Sequence, residues 1–196
     1  MEPEIKMRWY HHLSPRAYIL MSLGLISLTA VTLYLMGQVP WCKCGVVRLW
    51  HGVVFSAENS QHLSDWYTFT HIIHGFAFYL LFKLLFPRLP VPLRLLLAIA
   101  LEGAWEILEN MDFIINRYRE VTISLDYFGD SVINSVSDIL AMIVGFFLAS
   151  RIRMALSIAL VVVFEEMLAY FIRDNLLINI IMLVYPLEAL KFWQLG

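Results

Sequence analysis

The feature that most constrains this chain is an uncharged apolar run over residues 17–37. About 20 such residues, wound as a helix, cross the roughly 30 Å hydrocarbon core of a bilayer. The run is too long for a secretory leader, and Gln38, Val39, Pro40 and Trp41 follow it without a small-residue cleavage pattern. Further runs lie at 69–86, 93–115, 131–150, 154–172 and 176–193, the last broken by Pro186 and Glu188. Pro removes a helical hydrogen bond, so that segment is expected to kink or to insert only halfway. Hydrophobic residues make up 60% of the chain, charged residues 15%, and the mean hydropathy is +0.71. A soluble chain this apolar could not cover its surface with polar groups. The expected fold is a single all-α integral membrane helix bundle over 1–196, with about six transmembrane helices and a sizeable outer loop between the first two.

Lys and Arg flank spans preferentially on the cytoplasmic side. With the N-terminus inside, Lys6, Arg8, Arg16, Lys83, Arg88, Arg94, Arg151, Arg153 and Lys191 fall on that side. Lys43, Arg48, Arg117, Arg119 and Arg173 fall outside, a bias of nine to five. The expectation is a multi-pass membrane protein with a cytoplasmic N-terminus. If the last segment stays in the interface, the C-terminus remains outside. The lipid bilayer is the expected partner. A net charge of −2 gives no reason to expect nucleic acid, and nothing fixes the oligomeric state.

Ionisable residues inside spans are costly and cluster at functional sites. The second run opens with His71 and His74, which share a helix face. The third carries Glu102, Glu106 and Glu109 at helical spacing, with Asn110 beside them. The fourth carries Asp130, Asn134 and Asp138, again on one stripe. Alternating span directions put all three stripes in the outer half of the membrane. Two His and several carboxylates are ligand types for a divalent transition metal such as zinc, with His71 and His74 as its ligands. Such a metal activates water against an ester or phosphoester. Without metal, the carboxylates and imidazoles are general acids and bases, so Glu102, Glu106, Glu109, Asp130, Asn134 and Asp138 form the candidate catalytic set. The structural alternative is interhelical glue, through hydrogen bonds between buried polar side chains. Outside the spans, Arg173, His51 and His62 are candidate substrate contacts, and Arg173 suits a phosphate or headgroup. Trp41, Trp50, Trp66 and Tyr67 fit an interfacial belt. Cys42 and Cys44 admit a disulfide, two free thiols or a metal pair, with a structural loop staple preferred.

Several stretches carry a wider resemblance. They are Leu49-Trp50-His51-Gly52, Glu58-Asn59-Ser60-Gln61-His62, Asp65-Trp66-Tyr67-Thr68, His71-Ile72-Ile73-His74-Gly75, Glu102 through Asn110, Tyr127-Phe128-Gly129-Asp130-Ser131 and Arg173-Asp174-Asn175. Together they resemble an uncharacterised family of bacterial multi-pass membrane proteins known as domain of unknown function 2585. The resemblance covers the chain from about residue 15 and implies a cell-membrane location without supplying an activity. A looser similarity of layout links the early His, the Glu-rich helix and Asp-x-x-x-Asn to VanZ-like membrane proteins. The large first outer loop and the second His depart from that layout.

Three functions compete at this stage. The first is a membrane-embedded enzyme, working with or without a bound metal, that acts on a lipid-linked or envelope substrate at the periplasmic face. The second is a non-catalytic scaffold or assembly factor. The third is a proton-coupled carrier, opposed by the lack of an internal repeat and of polar groups in the inner half.

Overall fold

A computed structural model describes residues 13–122 and 125–196. Lys6 and Arg8, two of the basic residues assigned to the inner side, lie outside the described residues. Among those described there are eight helices and no strand. They are α1 (Pro15–Leu35), α2 (Thr68–Leu85), α3 (Val91–Glu109), α4 (Asp112–Val121), α5 (Val132–Arg151), α6 (Met154–Ile172), α7 (Leu176–Val184) and α8 (Glu188–Leu195). Local chemistry sets several starts. Ser14 caps α1 by accepting from Ala17 N, with Pro15 in the first turn. Ser131 does the same for α5, and Asn175 for α7.

Among the described residues four helices, α1, α2, α5 and α6, are long and apolar enough to cross a membrane. The chain is an all-α membrane helix bundle, though the expected count of six spans is not reached on length and composition. Helix α3 has 19 residues but carries Arg94, Glu102, Glu106 and Glu109. The third run was expected to continue to residue 115, yet α3 stops at Glu109. Asn110 turns the chain because its side chain binds Asp130 on both sides: its Oδ1 accepts from Asp130 N and its Nδ2 donates to Asp130 Oδ2. The sixth run is two short helices of nine and eight residues, broken around Pro186. Neither has the length of a span.

The C-terminal helices fold back onto the end where α6 finishes. Arg173 closes α6 in the left-handed conformation, with φ 52°. Arg117 Nε donates to Leu183 O, Lys191 Nζ to Glu120 O at 2.8 Å, and Gln194 Nε2 to Asp174 Oδ1 at 3.1 Å. Lys191 therefore sits beside α4, at the opposite end from the one its sequence position suggested. The basic bias becomes eight to six.

The bundle is tightest where α2 crosses α5. A Cβ on Gly75 would lie 2.1 Å from Met142 O, and one on Gly145 would lie 2.1 Å from Ile72 O. Only glycine at both positions lets the two backbones touch, as small residues do between membrane helices. A Cβ on Gly103 of α3 would lie 2.4 Å from Thr29 Oγ1 of α1. Away from the polar end, Phe82, Ala98, Ile99, Ile139, Met142 and Phe146 form the apolar core. Large apolar side chains such as Leu20, Leu28, Val162, Val163 and Tyr170 remain exposed around the perimeter, as a lipid-facing surface requires.

Candidate functional site

Helices α2 and α5 begin, and α3 ends, at the same end of the bundle, and there the three polar stripes meet. The Gly75–Gly145 crossing sets α2 against α5 one residue after His74. Glu102 and Glu106 are fully buried, and His71 and Asp138 nearly so. His71 Nδ1 lies 2.6 Å from Glu102 Oε1 and 3.4 Å from Glu106 Oε1. The ring's other nitrogen, Nε2, faces Asp138 Oδ2 across 3.9 Å. His74 Nδ1 lies 3.1 Å from both oxygens of Glu102, and its ring stacks on Phe78. Thr68 Oγ1 donates to Asp138 Oδ1 at 3.2 Å. Among the described residues, neither oxygen of Glu106 has a hydrogen-bond partner. A cavity of about 60 Å³ opens beside this cluster, its wall including His71, His74, Glu109, Asp130, Asp138 and Tyr118. That volume holds about four waters.

Two further members of the candidate catalytic set hold loops in place. Asn134 Nδ2 donates to His62 O at 2.8 Å, tying α5 to the first loop. Asp130 accepts from Asn110 Nδ2 and Tyr127 OH and lines the cavity. Burial pushes its carboxyl up to about 6, against the hydrogen bonds that hold it down. Burial also raises the phenols of Tyr118 and Tyr127, with Glu109 and Asp130 adding to it. Glu109 is hydrogen-bonded to Tyr118.

The candidate substrate contacts lie elsewhere. His62 Nδ1 accepts from Arg48 N, and its Nε2 meets Glu58 Oε2 at 3.2 Å. That hydrogen bond, with Arg48 nearby, holds the Glu58 carboxyl below its usual range. His51 pairs with Arg48 and bridges its backbone to Asp65. Neither histidine lines the cavity. Arg173 donates to Trp193 O and so braces the C-terminal helix. Cys42 and Cys44 form a disulfide. Trp50 packs edge-on against Trp66, which stacks on Phe171 and fastens the first loop to α6.

Sequence reasoning gave no site role to Thr68, Tyr118, Tyr127 or Asn179, all of which touch the site or its wall. Thr68 was within reach, because it stands three residues before His71 on the same helix face. Asn179 was not, because it arrives from the folded-back α7.

The sequence profile described as "Protein of unknown function (DUF2585)" matches residues 33–196. The chain belongs to the DUF2585 family. Its bacterial relatives carry the name UPF0314 protein. The one from Sinorhizobium fredii is 53% identical over 179 residues, covering 91% of both chains. One from Rhizobium etli is 57% identical over 166 residues, covering 85% of both. One from Sphingopyxis alaskensis is 52% identical over 177 residues, covering 90% of this chain and 94% of that one. No solved structure matches the chain. The DUF2585 match spans all the polar-end residues described above, from Thr68 to Asn179.

Proposed function

We propose that this DUF2585 protein is an inner-membrane enzyme, with its N-terminus in the cytoplasm and its polar end at the periplasmic face, acting there on a lipid-linked or envelope substrate. The observation that carries the reading is Glu106. It is 0% exposed, its two oxygens have no hydrogen-bond partner among the described residues, and it stands 3.4 Å from His71 Nδ1. A carboxyl serving as interhelical glue would be hydrogen-bonded. A buried carboxyl left unpaired beside an imidazole is positioned to take or give a proton. Asp130, Asn134 and Asn110 already do the joining.

Catalysis would centre on His71, with Glu106 and Asp138 facing it and Glu102 orienting the rings. The cavity admits a small polar group such as a phosphate or ester, not a whole lipid. An apolar groove of about 270 Å³ along α2 and α6 begins at Ile73, next to His74. It offers a place for a hydrocarbon chain while the head enters the polar end. The cytoplasmic N-terminus rests on the eight-to-six basic bias.

The test is a lipid and envelope-precursor profile of a deletion strain by mass spectrometry. A lipid-linked species should accumulate, return to normal with the wild-type gene, and stay elevated with Glu106→Gln. An unchanged profile, or full correction by Glu106→Gln, would count against the enzyme.

A further inference from the structure

We infer that the polar end is a metal centre, in which His71, Asp138 and Glu106 bind one divalent transition metal, zinc by its donor set, while Glu102 acts as a positioning residue. The inference rests on reading this end as a reaction centre and names its cofactor.

Glu102 supplies the first argument. Its carboxylate meets Nδ1 of both His71 and His74. With Glu102 as the acceptor in both contacts, each ring presents Nδ1–H to it and keeps the lone pair of Nε2 for another partner. Metal-binding imidazoles are held this way, with a buried carboxylate fixing the tautomer and raising the basicity of the ligating nitrogen. A carboxylate with no exposure, spent on two imidazoles at once, is an expensive arrangement for packing alone.

Spacing supplies the second. His71 Nε2 and Asp138 Oδ2 are 3.9 Å apart. That is too long for a hydrogen bond. An ion with ligand bonds of about 2 Å spans it. His71, Glu106 and Asp138 each offer one ligand atom, all within 4.8 Å of one another. The unpartnered Glu106 carboxylate gains in a cation the partner it lacks among protein groups. Thr68 then orients Asp138 from behind through its hydroxyl. One nitrogen and two carboxylate oxygens leave a coordination position toward the cavity, as catalytic zinc sites do. Bound there, the metal would lower the pKa of a water and polarise a phosphoryl or ester oxygen.

The experiment uses the full chain in detergent, stripped with a chelator and titrated with zinc by calorimetry and with cobalt(II) by visible absorption. One equivalent of zinc should bind, and cobalt(II) should give the visible bands of a low-coordinate N/O site. Glu106→Gln and Asp138→Asn should each abolish stoichiometric binding. Glu102→Gln should weaken it about 10- to 100-fold. Glu58→Gln should leave it unchanged, which separates this centre from the loop cluster of Cys42, Cys44, Glu58 and His62. Should a variant fail to fold, as judged by circular dichroism and gel filtration, the wild-type stoichiometry and cobalt spectrum decide alone. A folded wild-type protein that binds no zinc overturns the inference. So does zinc that is lost in Glu58→Gln but kept in Glu106→Gln and Asp138→Asn. The enzyme reading fails separately. A zinc-binding protein whose Glu106→Gln variant corrects the deletion strain keeps the metal and loses the enzyme. A metal-free protein whose Glu106→Gln variant does not correct it loses the metal and keeps the enzyme.

Discussion

Glu102 and His71 are joined at 2.6 Å, across a contact that leaves Glu102 with no exposed surface. One carboxylate thereby meets Nδ1 of two imidazoles, since it also reaches His74. Nitrogen-15 NMR of labelled histidine should show both rings protonated at Nδ1 in the wild type. Glu102→Ala should return both to a mixed population and destabilise the protein by about 1–3 kcal/mol, because two buried donors lose their acceptor. Unchanged ring shifts in a folded Glu102→Ala variant would mean that Glu102 does not set the tautomers.

The glycine crossing should be intolerant of a single methyl group. Gly75→Ala or Gly145→Ala forces a Cβ into the facing backbone, at 2.1 Å in both cases. Each should lower the melting temperature in detergent, with an overpacking cost of about 1–3 kcal/mol or more. Gly24→Ala is the control, because a Cβ there meets nothing within 4 Å and Ala favours the helix. Equal melting temperatures for all three variants would mean that α2 and α5 are not packed at that point.

Asp174 should make stability fall as pH rises. Burial lifts its carboxyl from 3.8 to about 7, although Tyr67, Asn175 and Asn179 hydrogen-bond to it. The folded state then binds a proton more tightly than the unfolded chain does. Its contribution is present below about pH 3.8 and is lost as pH climbs through about 7. Asp174→Asn should flatten the melting temperature across that window. It should also cost stability, since an amide cannot accept all four donors now gathered on the carboxylate. An unchanged pH profile in Asp174→Asn would assign the dependence to another group.

The folded-back C-terminus changes where a reporter should appear. Lys191 sits on Glu120 and Gln194 on Asp174. Fusions at Glu58, Glu120 and Gly196 should all report the periplasm, and one at Arg151 the cytoplasm. A cytoplasmic Gly196 fusion would contradict the fold-back.

Much of the site was legible because helical spacing is local. His71 with His74, and Glu102 with Glu106, share faces by periodicity alone, and span direction sets their common depth. The terminations were less accessible. Asn110 ends α3 through a partner twenty positions away, and Asn134 anchors to a carbonyl seventy-two positions away. Such pairings leave no periodic trace. Asn134 joined the candidate set by its stripe alone, and its tie to the first loop left no mark in the sequence. Pro186 did mark the weak point of the last segment, but not that both halves would return to the polar end. Gly129 shows the same limit. Its φ of +95° and its closeness to Asn110 and Gln38 are explained only once the loop is folded.

The central claim is that the polar end performs chemistry, and Glu106→Gln measures it most directly. The substitution keeps shape and removes no hydrogen bond seen among the described residues, because the Glu106 carboxyl makes none there. Complementation of a deletion strain should be scored against the amount of protein in the membrane and its melting temperature. The account predicts normal abundance, a melting temperature after chelator treatment equal to or above that of the wild type treated alike, and no complementation. Full complementation at normal abundance would contradict it and leave the cluster as a structural joint.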